Sequence, residues 1–189
     1  MDTKTLALIA VFGAITVVLN LSQIKYAAPF AFYLYYQIWE IPIVAAFLLY
    51  GFKVGFSISI INTIVLLAVF PGASPTGPFY NLAAVLSMLL GLYLVHKFVG
   101  DRFIKKRSLT IAVIAIAFGI LTRVGIMSIF NWFFLGFPPP FGFGLGVEAI
   151  PAELMVIGLF NATLALYTIP LGILIARAVS LNTKVPIWS

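Results

Sequence analysis

"LTIAVIAIAFGILTRVGIMSIFNWFFL", Leu109 to Leu135, is an apolar run that carries a single charge, Arg123. A hydrocarbon core takes about 20 apolar residues per helical crossing, so this run predicts a transmembrane helix. A charge at such depth is costly and marks function by default. Similar runs recur at Thr5 to Ile24, Ile38 to Gly51, Val54 to Phe70, Phe79 to Phe98 and Val147 to Ala176. The chain therefore predicts an all-α integral membrane protein, one bundle of six transmembrane helices spanning residues 1–189. Composition agrees: 63% of residues are hydrophobic, 8% are charged and mean hydropathy is +1.17, outside the range of soluble domains.

The second run is the shortest, and Pro42 stands in its first turn. Charge asymmetry argues that it crosses. With six spans, Lys4, Lys53, the cluster "HKFVGDRFIKKR" (His96 to Arg107), Arg177 and Lys184 fall on one side, which the positive-inside rule makes cytoplasmic. Both termini then lie in the cytoplasm and Lys25 alone is basic in an outer loop. The first run lacks a small-residue cleavage site and reads as a retained span of a multi-pass cell-membrane protein. No separate soluble domain is expected.

Five of the eleven basic residues behind the net charge of +6 stand in that cluster, which has no aromatic interleaving suited to base stacking, so nucleic acid is not an expected partner. The chain has no cysteine, and its one histidine, His96, sits beside Lys97 as an interfacial residue. Neither a metal site nor a cofactor is expected.

Three outer loops are predicted: "YAAPFAFYLYYQ" (Tyr26 to Gln37), "PGASPTGP" (Pro71 to Pro78) and "GFPPPFGFGLG" (Gly136 to Gly146). Proline fixes its own φ and glycine allows tight turns, so such loops form a stiff aromatic cover at small entropic cost. Some of the rings also belong to an interfacial belt.

Polar residues stand in the spans at Glu40, Asn62, Asn81, Arg123, Asn131, Glu153 and Asn161, with Glu148 at the start of the last helix. At a rise of about 1.5 Å per residue, most lie within one or two turns of the outer ends, and Arg123 and Asn161 lie near the midplane. Convergent polar groups under aromatic loops describe an outward-open ligand pocket. Arg123 and Asn131 share a helix face. A buried arginine needs a partner, for which Glu153 ranks ahead of Glu40. On the first helix, Ala10 and Ala14 make a small-xxx-small face, suited to close packing within the bundle or to another membrane subunit.

No nucleophile–base set, metal spacing or phosphate loop is present, so an enzyme is not expected. The rival class is a membrane enzyme using Glu148, Glu153 and Arg123 on a lipid-like substrate.

Several segments resemble the substrate-binding S component of an energy-coupling factor (ECF) vitamin transporter, most closely the riboflavin type. They are "AVFGA" (Ala10 to Ala14), "WEIPIVAAFLLYGFKVG" (Trp39 to Gly55), "FYNLAAVLSMLLGL" (Phe79 to Leu92), "NWFF" (Asn131 to Phe134) and "LFNATLALYTIPLGI" (Leu159 to Ile173). The resemblance implies docking through Ala10 and Ala14 on a transmembrane T component driven by two cytoplasmic ATPases. It also implies a vitamin among the outer ends of helices four to six, with Asn131 and Asn161 at polar pocket positions. Leu164 stands where the riboflavin type often has a lysine.

Flavin chemistry suits the inventory. Rings from Phe30, Phe32, Tyr33, Tyr80 and Trp132 are candidates to stack on a flat tricycle, each pair adding about 0.5–1.5 kcal/mol beyond area burial. A carboxamide reads alternating carbonyl and N–H groups, and Glu40 or Glu153 would accept hydroxyls. The expected substrate-binding set is Phe32, Glu40, Asn62, Tyr80, Asn81, Arg123, Asn131, Trp132, Glu153 and Asn161. A thiamine-like cation would favour the glutamates, and a folate-like anion would need Arg123 unpaired.

Overall fold

The computed structural model describes residues 2–22, 24–69, 76–99, 109–183, 185 and 187. Among them are six helices: α1 (Thr3–Leu21), α2 (Glu40–Tyr50), α3 (Phe52–Val69), α4 (Thr76–Val99), α5 (Leu109–Phe134) and α6 (Ile150–Thr183). Most of the basic cluster between His96 and Arg107, Lys184, and Pro71 to Pro75 of the second predicted loop lie outside the described residues.

Five of the helices are long and apolar enough to cross a membrane. The second is not. With 11 residues, α2 is about 16 Å long, against a core of about 30 Å. Its "EIPIVAAFLLY" is apolar on every side after Glu40, and a helix of that kind has to be enclosed. Every residue from Glu40 to Leu49 is indeed buried. In the other five, only 17% to 44% of the apolar window is buried, leaving an apolar outer surface that suits lipid. The six expected helices are thus present, five of them long and apolar enough to cross on their own and α2 short and enclosed among them.

Close packing explains how α2 fits. A Cβ at Gly172 of α6 would stand 2.4 Å from Val44 Cγ1, so only glycine lets α6 lie against α2. Gly51 turns the chain from α2 into α3 at φ 84, a left-handed conformation open to glycine at little cost. Ile43, Val44, Phe47, Leu49, Ile58, Val85, Leu89, Leu92 and Ile169 form the core around α2.

The connection read as a loop from Tyr26 to Gln37 is a β-hairpin, β1 (Lys25–Ala28) and β2 (Ala31–Gln37). The bundle itself is all-helical, as expected, and the hairpin is a two-stranded addition in one of its connections. The physical signal was the aromatic-rich run "AFYLYYQ", which favours a pleated surface. Lys25 pairs with Gln37, Tyr26 with Tyr36, Ala27 with Tyr35 and Ala28 with Ala31. Between the last two pairs β2 bulges through residues 32 to 34, and bulges re-aim side chains.

Three tyrosine hydrogen bonds fix the hairpin to α6. Tyr33 donates to Glu153 Oε1, Tyr36 Oη and Thr163 Oγ1 are 2.6 Å apart, and Tyr167 donates to the Gln37 carbonyl at 2.5 Å. The α5–α6 connection folds back on the end of α5. Its Phe143 and Leu145 amides both donate to the Leu135 carbonyl, and Gly144 N donates to Phe137 O at 2.8 Å.

Candidate functional site

A cavity of about 690 Å³ lies between the hairpin and α2, α4, α5 and α6. Its size falls in the roughly 300–1,000 Å³ range of small-molecule sites. Helix periodicity explains its walls. On α5, Arg123, Met127 and Asn131 follow at four-residue steps, with Leu135 one step further just past its end; on α6, Glu153, Ile157 and Asn161 do the same.

Arg123 Nε donates to Asn161 Oδ1 at 2.9 Å, which fixes the level at which the two antiparallel stripes meet. Stepping one turn along each helix brings Met127 level with Ile157, and a second turn brings Asn131 level with Glu153. The cavity therefore has a polar floor, an apolar middle and a polar rim, each about one helical turn apart.

The floor is internally satisfied. Arg123 Nη2 donates to Glu40 Oε1 at 3.0 Å, Nη1 donates to Glu40 Oε2, and Met88 Sδ lies 3.7 Å from Nη1. The ion pair is buried, with side-chain exposures of 2% and 3%. A parallel, two-pronged pair is the strongest carboxylate geometry for arginine and tolerates desolvation best. Glu40 is thus the partner of Arg123, which corrects the ranking of Glu153. The reason is the length of α2: its N-terminus enters the bundle and delivers Glu40 to the depth of Arg123. Asn161 also donates to the Ile157 carbonyl at 2.9 Å, so it serves Arg123 and its own helix as well as the cavity.

The rim is less committed. Asn131 is buried and donates once, to Met127 O at 2.7 Å, while Asn81 makes no side-chain hydrogen bond among the described residues. Tyr80 Oη is buried without a hydrogen-bond partner there. Its ring is held edge-on against Phe130, with centroids 4.9 Å apart. Glu153 receives the Tyr33 hydroxyl on one oxygen only. These groups offer donors and acceptors that the protein itself does not consume.

Of the expected binding residues, Glu40, Tyr80, Asn81, Arg123, Asn131, Glu153 and Asn161 line the cavity. Three others are placed elsewhere. Phe32 is 82% exposed and Trp132 is 51% exposed, each turned away from the walls. Asn62 of α3 accepts from Asn20 of α1 at 3.1 Å, an interhelical bond outside the cavity. Phe30, also a stacking candidate, is exposed, whereas Tyr33 lines the cavity. Ala10 and Ala14 lie on an exposed face of α1.

Sequence reading missed Tyr35, Gln37, Trp39, Phe143 and Phe160 as wall residues. The available signals were the helical periodicity of α6 and the alternation of β2. Trp39 Nε1 donates to Gln37 Oε1 at 2.7 Å, and Tyr36 packs on Phe160 with centroids 5.2 Å apart. The rings of this wall are therefore positioned before any ligand arrives.

No family model matches the chain, and no curated protein matches it. Among solved structures it is similar to one described as "Structure and mechanism of the S component of a bacterial ECF transporter", with a TM-score of 0.76 and 25% identity. The similarity covers 97% of this chain and 99% of that one.

Proposed function

We propose that this chain is the substrate-binding S component of an ECF importer in the cell membrane and that it binds riboflavin in the cavity under the hairpin. The observation that carries the reading is the cavity itself, apolar in the middle and edged by carboxamides with unspent hydrogen-bonding groups. The end-to-end likeness to an S component supports the same reading. The chain binds and hands over; it catalyses no reaction.

A flat tricycle occupies the apolar middle, between Met127 and Ile157, with Tyr33, Tyr80, Phe143 and Phe160 as the rings in reach. The imide edge of the flavin presents alternating donors and acceptors, which Asn131 and Asn81 match. Asn161 offers its remaining N–H. The hydroxylated tail faces Glu153. The hairpin end of the bundle is the exterior face, and both termini are cytoplasmic, in keeping with the positions of Lys53 and Arg177. The Ala10 and Ala14 face docks on a T component, and two cytoplasmic ATPases supply the energy.

One observation favours a second reading. Because Glu40 neutralises Arg123, Glu153 is the lining charge without an ionic partner among the described residues, which suits a thiamine-like cation. The same pairing argues against a folate-like anion.

Calorimetric titration of riboflavin into the detergent-purified protein tests the proposal. One saturable site per chain is expected. Absence of heat, together with a different small molecule in the mass spectrum of the purified protein, overturns riboflavin.

A further inference from the structure

Three charged side chains line the cavity among the described residues: Glu40, Arg123 and Glu153. The first two are locked together at the floor, with all three guanidinium nitrogens given acceptors. The lining therefore carries one uncompensated negative charge, at Glu153. Lys25 is the one basic residue of the hairpin. It lies on β1, exposed, with Nζ 5.3 Å from the Tyr35 centroid, and does not line the cavity. Glu148, the other glutamate at the start of α6, adds to the same sign.

Glu153 is also held. Tyr33 donates to Oε1, Oε2 has no hydrogen bond among the described residues, and Tyr33 stands in the irregular stretch of β2. Its place in the first turn of α6 favours negative charge, because the helix N-terminus is the positive end of the backbone dipole. Asn131 sits level with it across the cavity and is neutral.

We propose that Glu153 is a charge filter at the rim: the site takes ligands presenting a hydroxyl or a cation there and rejects those presenting a phosphate or carboxylate. The inference rests on the ligand-binding function above and deepens it. For a flavin it means that the vitamin is accepted and its phosphate monoester, carrying about −1.5 to −2 charges at neutral pH, is refused. Specificity then comes from a repulsive element and not from an extra contact.

The test compares riboflavin with its phosphate monoester on the wild-type protein and on Glu153→Gln, which keeps size and an acceptor for Tyr33. The wild type is expected to prefer riboflavin at least about tenfold, and Glu153→Gln to narrow that preference about tenfold by tightening the ester. Rising salt narrows the wild-type preference, because the repulsion is screened. A preference unchanged in Glu153→Gln, or a wild type that binds both alike, overturns the filter. If riboflavin itself is not bound, the riboflavin reading fails alone. The filter is then judged by the same criteria on thiamine against thiamine monophosphate.

Discussion

Arg123 of α5 and Glu40 at the start of α2 lie 83 residues apart in sequence and share two hydrogen bonds beneath the cavity. The pair joins the enclosed helix to the wall that carries the binding groups. Two charges out of water are stable together and costly apart. Glu40→Gln should therefore destabilise the bundle by about 3–5 kcal/mol, leaving a buried guanidinium without its counter-charge. Glu40→Leu combined with Arg123→Met should cost clearly less than the two single changes summed. Thermal unfolding of the wild type and these four variants in one detergent measures this, and additive losses in the double variant would show that the pair is not coupled.

The open carboxamides separate recognition from folding. Asn131→Ala should weaken riboflavin binding at least about tenfold, the loss expected when buried polar groups of a ligand are left unpaired, with unfolding shifted little. Asn81→Ala should act in the same direction. Trp132→Ala is the control, since its ring is half exposed and off the walls. Equal affinities across the three, by calorimetry, would place the ligand elsewhere.

Much of this was legible in the primary structure, for physical reasons. Arg123 and Asn131 could be put on one face because eight residues make two helical turns and hydrophobicity forced the helix. Asn131 and Glu153 could be put at similar depth for the same reason. What could not be read was pairing between elements. Whether Arg123 meets Glu40 or Glu153 depends on how far α2 reaches into the bundle, a tertiary fact. Asn62 resembled the pocket asparagines in depth, yet it sits on α3 facing α1 and bonds Asn20. The strand-forming residues of the hairpin were present, but Pro29 and Phe30 at its turn and the irregularity in β2 hid its register.

The hairpin should behave as a latched cover. Tyr33→Phe removes the hydroxyl bonded to Glu153 while keeping the ring in the wall, so ligand should dissociate faster with association little changed. Burial first, and then the Glu153 carboxylate, push the Tyr33 phenol up to about 12 from its usual 10. A raised phenol contributes latch stability that is complete below pH 10 and is lost as pH rises through about 12. A wild-type-minus-Tyr33→Phe difference titration of phenolate absorbance should show that late ionisation. A difference curve centred at the ordinary value would mean that the contact does not form in solution.

The exposed face of α1 and the cavity are separate surfaces, and that separation is testable. Ala10 and Ala14 are exposed, whereas no α1 residue lines the cavity. Small residues on a membrane helix let another backbone approach, and a branched side chain holds it off. Ala10→Leu with Ala14→Leu should therefore abolish vitamin uptake and co-purification with the T component and ATPases. Riboflavin affinity of the isolated chain should stay within about twofold, since α1 contributes no group to the site. If the double variant loses ligand binding as well, the two alanines hold the bundle together and the docking assignment falls. If uptake survives intact, the partner engages another face, and the lipid-exposed sides of α3 or α4 become the surfaces to alter next.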